Sequence, residues 1–299
     1  MRRRRARPQS SPMPKACQHE PLRALKRGIR WVNVCITVWG YTALAPLGYL
    51  LFAVLCFVWR GDVVRRARRL QGVTAGAYRF MHRWLGWMRI TQFDHRQPLP
   101  GLPAGPCVVI ANHPTLMDIT SITAALGGGT TVVKPELYRR RMIHGLLVGA
   151  GHVEGPGADP VSVGRVVDEV VERLRWGMPV IVFPEGTRSP PDRLLRFGRL
   201  AFEIACRARV PLVSLTVTCE PVYLSKEVPL FRPAHPTPQL RLGVLAVDDP
   251  AGVEFDSRAL RARCEERYGR WFRALVPGAA PAYDLATEDS ECQISSKTG

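Results

Sequence analysis

Cys107-Val108-Val109-Ile110-Ala111-Asn112-His113-Pro114-Thr115-Leu116-Met117-Asp118 is the stretch from which the fold is read, because a short apolar run ends abruptly in polar residues. Such a run, bounded by a turn, reads as a buried strand that delivers a histidine to its tip. Pro114 suits the first turn of a helix, where its missing N–H is no loss. Asn112 or His113 is therefore the expected cap of a helix over about 115–126, with Asp118 about one turn inside it. Residues five apart diverge on one ideal helix, but a histidine just before the helix can fold back onto an aspartate within it. The carboxylate would then hold the imidazole in one tautomer, while the other ring nitrogen takes a proton from a hydroxyl or water. Taken alone, His-x4-Asp also describes a capping histidine beside a helix carboxylate, so a second motif has to decide.

Val180-Ile181-Val182-Phe183-Pro184-Glu185-Gly186-Thr187-Arg188-Ser189 repeats the design, an apolar strand followed by a sharp polar turn. Gly186 permits close backbone approach to a ligand, and Arg188 offers a forked donor suited to phosphate. Between and after these motifs, apolar runs alternate with amphipathic stretches. Strands are expected at 107–111, 130–133, near 151–154, at 179–183, 212–218 and 239–247, and helices near 115–126, 160–176, 199–208 and 257–275. That alternation predicts an α/β fold, a mostly parallel sheet covered by helices on both faces, with ligands gathering at the carboxyl ends of the strands.

The two strand ends together resemble the first and third sequence blocks of the glycerolipid acyltransferases, the lysophosphatidate acyltransferase family, whose patterns are Asn-His-x4-Asp and Phe-Pro-Glu-Gly-Thr-Arg-Ser. Val210-Pro211-Leu212-Val213 is similar to the fourth block, and the resemblance covers about 106–217. It implies a membrane-bound O-acyltransferase that moves a fatty acyl group from acyl-CoA or acyl-carrier protein to a hydroxyl of a lysophospholipid-like acceptor. In that reading His113 deprotonates the acceptor hydroxyl, Asp118 supports His113, and Gly186 with neighbouring amides binds the developing oxyanion. Glu185 and Thr187 lie in the acceptor-binding turn, Glu185 holding an acceptor hydroxyl and Arg188 a phosphate. Lys134 ends a strand where family members also carry lysine, although an exposed lysine at a helix start accounts for it equally well. No metal or cofactor is implied beyond the acyl donor itself. The alternatives are a thioester or phosphoester hydrolase using the same pair, against which the missing Gly-x-Ser-x-Gly elbow counts, and a non-catalytic membrane scaffold.

One departure from the family concerns the acceptor. Its second block, Gly-x-x-Phe-x-x-Arg, falls on Gly149-Ala150-Gly151-His152-Val153-Glu154-Gly155, so His152 and Gly155 stand where phenylalanine and arginine are expected. Leu200 likewise stands where a glycine is expected before a helix. A lost phosphate-binding arginine predicts a preferred acceptor other than ordinary lysophosphatidate.

Charge placement fits a membrane. Of the formal +17, residues 1–30 carry +9 and residues 60–70 carry +4, leaving +4 for the other 258 residues. Clusters beside an apolar segment suit anionic lipid headgroups and not a nucleic-acid groove. Residues 31–59 contain no charge and are closed at each end by Trp and Arg. As one helix they would reach ~43 Å, longer than the ~30 Å hydrocarbon core, and Pro46 with Gly48 divides them into halves too short to cross. A hairpin embedded in the cytoplasmic leaflet is therefore expected ahead of a single tilted span.

The expected organisation is a disordered basic arm at 1–24, a membrane-embedded segment at 25–60, an amphipathic basic helical region at 61–97, the catalytic domain at 98–276 and a disordered tail at 277–299. Attachment to the inner membrane, with the catalytic domain facing the cytoplasm, follows from that reading. The eight cysteines show no Cys-x2-Cys pair and read as reduced thiols. Arg139-Arg140-Arg141 could dock lipid phosphates or an acidic carrier protein, but a solvated helix face is the favoured reading.

Overall fold

The computed structural model describes residues 20–94, 99–157, 160–226, 228, 230, 236–251 and 255–276. Of the expected arm at 1–24, residues 1–19 lie outside the described residues, as does the tail at 277–299, whereas 20–24 belong to the first helix and are not disordered.

Two long helices open the chain, α1 (Glu20–Val58) and α2 (Val63–Trp87). Then follow β1 (Gln92–Asp94), β2 (Val108–Ala111), α3 (Asp118–Leu126), β3 (Thr130–Val133), α4 (Pro135–Tyr138), α5 (Arg141–Gly149) and β4 (Val153–Glu154). The second half adds α6 (Pro160–Arg175), β5 (Val180–Val182), α7 (Leu200–Ala208), β6 (Leu212–Glu220), β7 (Gln239–Asp248) and α8 (Ser257–Leu275). One sheet runs in the order β1-β7-β6-β2-β5-β3-β4. All pairings are parallel except β6 with β7. The expected α/β fold is therefore the observed one.

Why β2 reads as a continuous apolar run is visible in its neighbours. Val108 and Ile110 face one side, packed with Val166, Val170 and Leu174 of α6, Phe202 of α7 and Tyr268 of α8. Val109 and Ala111 face the other, packed with Ile122 of α3 and with Ile181, Val213 and Leu215. A strand buried on both faces needs apolar residues at every position.

Three expectations change. The sheet starts at β1, before the expected boundary at 98, and Gln92 pairs with Gln239. The helix expected from 115 starts at Asp118, with Met117 as its cap, so neither Asn112 nor His113 caps it. No break occurs at Pro46: α1 is one 39-residue helix with Pro46 inside it. Proline removes one i→i−4 bond and crowds the preceding turn, yet long apolar helices tolerate it when packing supplies the rest.

The reversal instead falls at 59–62, and α2 is the returning arm. Asn33 Nδ2 donates to the Met88 carbonyl at 2.9 Å and Trp84 Nε1 to Thr37 Oγ1 at 3.1 Å, which ties the start of α1 to the end of α2. Asp62 caps α2 by accepting from the Arg65 amide at 3.0 Å. The amphipathic helix α2 packs on the catalytic fold through α3. Gln71 accepts from the Gly129 amide at 3.1 Å and donates to the Ala150 carbonyl at 2.8 Å, while Arg79 reaches the Ala124 carbonyl at 3.2 Å. Its charged side faces outward, with Arg65, Arg68 and Arg69 exposed.

Candidate active site

Adjacent parallel strands β2 and β5 end side by side, with Ile110 opposite Val182, so the turns that follow them meet at one edge of the sheet. Asn112 extends β2 by one step with its side chain. Its Nδ2 donates to the Val217 carbonyl at 2.8 Å and its Oδ1 accepts from the Val217 amide at 2.8 Å. Asparagine is the residue that offers one donor and one acceptor in this geometry, so the strand end is pinned just before His113. Behind it, the Tyr268 hydroxyl lies 3.1 Å from the Ile110 carbonyl and 2.6 Å from that of Leu215, clamping β2 to β6.

His113 Nδ1 lies 2.8 Å from Asp118 Oδ2. Asp118 is fully buried, and the same carboxylate accepts from the Thr115 amide and the Thr115 hydroxyl, both at 2.8 Å. The fold-back expected from the sequence is thus present, made by a tight turn at Pro114–Met117 in which Thr115 Oγ1 also accepts from the Met117 amide at 2.9 Å. Burial raises the pKa of the Asp118 carboxyl above its ordinary value, opposed by the hydrogen bond and charge of His113 and by Thr115. Two Thr115 donors and a place at the first residue of α3 favour the ionised form. An ionised carboxylate only accepts, so Nδ1 carries the proton and Nε2 is left unprotonated. Phe183 stacks on the imidazole with ring centroids 4.1 Å apart and 18° between planes, and the histidine side chain stays 18% exposed.

The second turn is bolted to the first by Ser189. Its hydroxyl accepts from the His113 amide at 2.9 Å and donates to Glu185 Oε1 at 2.5 Å, and its amide donates to the His113 carbonyl at 2.8 Å. Sequence reasoning gave Ser189 no role, although it stood in the quoted motif.

Glu185 and Gly186 take structural roles here. Glu185 is buried, and its second oxygen accepts from the Leu195 amide at 2.9 Å. Both carboxylate oxygens are therefore engaged within the fold, where Glu185 braces the two turns. Burial raises its pKa as well, opposed by Ser189 and Leu195. Gly186 has φ +66°, and a Cβ added there would meet nothing within 4 Å. Glycine suits this left-handed turn, and the space beside it is open. Its amide donates to the Phe183 carbonyl at 3.0 Å, so that N–H is spent on the turn and not on an oxyanion.

Arg188 Nη1 donates to the carbonyls of Leu224 at 3.2 Å and Ser225 at 2.9 Å, leaving Nε and Nη2 as its remaining donors. Thr187 follows Gly186 in the same turn, partly buried. Lys134 is exposed at the end of β3, whose Thr130 and Thr131 pair with Val180 and Ile181 of β5, so it shares the carboxyl edge.

The residues of the second block are packing elements. His152 Nδ1 lies 3.1 Å from the Thr131 amide, and its Nε2 lies 3.4 Å from Gln71 Nε2. Its pKa is lowered to about 4 by burial. At Gly155 an added Cβ would lie 3.1 Å from the Val133 carbonyl, whose oxygen already accepts from the Gly155 amide at 2.7 Å. Arg139 pairs with Glu154 at 2.6 Å.

Residues 91–218, which begin with β1 and end in β6, match the family model described as Acyltransferase. The 1-acyl-sn-glycerol-3-phosphate acyltransferase beta of Homo sapiens is 29% identical over 178 residues, covering 57% of this chain and 64% of that protein. The 1-acyl-sn-glycerol-3-phosphate acyltransferase of Cocos nucifera is 32% identical over 129 residues, 42% of either protein. This chain thus spans less than two thirds of the length of both relatives. In fold it is similar to the 1-acyl-sn-glycerophosphate (LPA) acyltransferase PlsC from Thermotoga maritima, with a TM-score of 0.62 at 23% identity over 83% of this chain and 97% of that one. The family model and the named relatives converge on the domain that carries both strand-end turns, and residues 91–218 of this chain are similar to the acyltransferases.

Proposed function

We propose that this chain is a membrane-bound O-acyltransferase that moves a fatty acyl group from acyl-CoA or acyl-carrier protein to a hydroxyl of a lysophospholipid. The relatives act, by their names, on 1-acyl-sn-glycerol-3-phosphate, which is carried over here as the first acceptor to test. The observation that carries the reading is the 2.8 Å His113–Asp118 contact at the carboxyl edge, braced from β5 by Ser189. Nε2 of His113 takes the proton of the acceptor hydroxyl as its oxygen bonds to the thioester carbonyl carbon. When the tetrahedral intermediate collapses, the C–S bond breaks and the imidazolium returns its proton to the departing thiolate. Asp118 stabilises the imidazolium, and the Phe183 ring fixes its plane. Free donors of Arg188, together with Lys134, supply positive charge for the acceptor phosphate. A thioester is already an activated acyl donor, so the proposal requires no cofactor.

Attachment rests on α1. Its stretch Leu25–Val58 is long and apolar enough to cross a membrane by length and composition, reaching a mean hydropathy of 2.0 over 18 residues. A crossing would carry α2 with it, since the two helices run antiparallel and in contact, and α2 bears Arg65, Arg66, Arg68, Arg69, Arg79 and Arg83. Arginine at mid-bilayer is strongly unfavourable. α1 therefore lies in the plane of one leaflet, the cytoplasmic one, with the catalytic domain on the cytoplasmic side.

Purified protein given a labelled acyl-thioester, with and without 1-acylglycerol-3-phosphate, tests the activity. Acceptor-dependent transfer that is lost in His113→Ala is expected; acceptor-independent hydrolysis would overturn the proposal in favour of a hydrolase.

A further inference from the structure

We infer that the α4–α5 excursion between β3 and β4 is a second lipid-contacting surface, which docks the carboxyl edge of the sheet onto an anionic bilayer; this rests on the membrane reading of α1. The excursion is short of core contacts. In α5 only Gly149 is buried, although the helix reads Arg-Met-Ile-His-Gly-Leu-Leu-Val-Gly. Met142 is 77% exposed, Val148 45% and, in α4, Leu137 44%. An apolar helix left on the outside of a fold with a well-filled core marks a surface that meets something.

What it meets is indicated by its neighbour. A Cβ built on Gly149 would lie 2.8 Å from Cys56 Sγ, so α5 ends against the last turns of α1, and glycine there permits the approach. Beside Cys56, Phe57 is 65% and Val58 63% exposed. The exposed apolar surface of α1 thus continues onto α5 instead of ending at the helix turn. Its rim is basic. Arg60 lies over the Phe57 ring at 4.6 Å, and Arg140 and Arg141 are exposed with no ion pair among the described residues. An apolar face with a cationic border matches the acyl–headgroup boundary of an anionic leaflet.

The geometry at both ends of α1 agrees. Near its start Arg30 Nη2 donates to Thr237 Oγ1 at 2.8 Å, and near its end Cys56 meets α5. The helix therefore lies along the domain over ~39 Å, taking ~1.5 Å per residue. A domain bound at both ends of an in-plane helix is itself held against the membrane, with α5 beside it. Because α4 follows β3 directly and Lys134 caps it, docking here turns the strand ends toward the lipid.

The test is photocrosslinking with the full chain in vesicles of phosphatidylglycerol and phosphatidylcholine. p-Benzoyl-phenylalanine is placed singly at Met142, at Leu51 of α1, or at Val161 of α6, which is 83% exposed and belongs to an element packed elsewhere. Lipid adducts are expected at 142 and 51 and not at 161. Replacing Arg140 and Arg141 by Gln should lower the adduct at 142 by up to about fivefold per arginine while sparing that at 51. Adducts at 51 alone would overturn the inference and leave the membrane reading intact, whereas adducts at neither position would overturn the membrane reading itself. With acyl-carrier protein added, preferential adduct formation at 142 with that protein would also overturn it, reassigning the surface to the donor.

Discussion

At the scale of single residues, the His113–Asp118 pair separates two roles that activity alone would merge. His113→Ala should abolish transfer, and Asp118→Asn should lower it by about 10²–10⁴-fold, because an amide no longer enforces the Nδ1–H tautomer. Circular dichroism should find both variants folded; a well-folded His113→Ala protein that keeps most of its activity would refute the base assignment. His152 gives a pH signature of the opposite kind, one of stability. The ring is enclosed by the Thr131 amide and hydroxyl at Nδ1 and by the Gln71 side-chain nitrogen at Nε2, so a charged ring there would be cut off from water. With the pKa lowered from 6.5 to about 4, the neutral ring's contribution is full above pH 6.5 and is lost as pH falls toward 4. The loss is at most about 3 kcal/mol. Urea midpoints between pH 7 and pH 4 should therefore fall more steeply for the native protein than for His152→Asn. A third residue, Gly155, bears on the acceptor. Its site has the Val133 carbonyl where a side chain would begin, and Arg139 is already paired with Glu154, so neither replaces the family's arginine. A missing charge-assisted hydrogen bond removes ~1.5–3 kcal/mol, roughly ten- to hundredfold in affinity. In competition between equal amounts of lysophosphatidate and other lysolipids, lysophosphatidate should therefore hold no selective advantage; efficient, selective acylation of it would refute this.

Elements carry the site because strand ends are pinned from the side. Asn112→Ala removes both bonds to Val217 and leaves a buried amide and carbonyl of β6 unpaired, a loss of about 2–4 kcal/mol. Tyr268→Phe removes one hydroxyl from between two carbonyls and should lose about 1–2 kcal/mol while leaving the strands paired. Thermal unfolding that ranks Asn112→Ala clearly below Tyr268→Phe is the expected outcome. These pins explain what could be read from sequence and what could not. The buried strands announce themselves, since β2 must be apolar on both faces, and so do the two polar turns that end β2 and β5. The fold-back of His113 onto Asp118 was legible as chemistry, but its mechanism was not: Thr115 makes the turn through its own hydroxyl, a local bond that no hydrophobic period reports. β1 was missed because a three-residue edge strand gives no alternation to detect. The bracing role of Glu185 went unseen for a related reason. A carboxylate in a polar turn looks free until the Leu195 amide, ten residues on, closes over it.

For the whole molecule, the reading that changed most is that of α1, and the change follows from a partner the helix does not announce. Taken alone, Pro46 in the middle of an apolar stretch argues for a break. With α2 lying antiparallel, the reversal is supplied at 59–62, and the proline stays inside a helix supported at both ends. In the membrane arrangement proposed above, the basic helix α2 keeps its apolar neighbour from crossing, so attachment should be hydrophobic in strength yet confined to one side. Membranes carrying the protein should retain it through a high-salt wash, because ionic strength screens the arginines and leaves burial of α1 intact, and should release it to detergent. Sidedness gives the sharper outcome. In sealed vesicles with the catalytic domain outside, an epitope tag placed before residue 1 should be cut by external protease as readily as a tag after residue 299, since an in-plane α1 returns the chain to the side from which it entered. A protected amino-terminal tag beside an accessible carboxyl-terminal one would require α1 to cross the bilayer, and with it the separation of α1 from the arginines of α2.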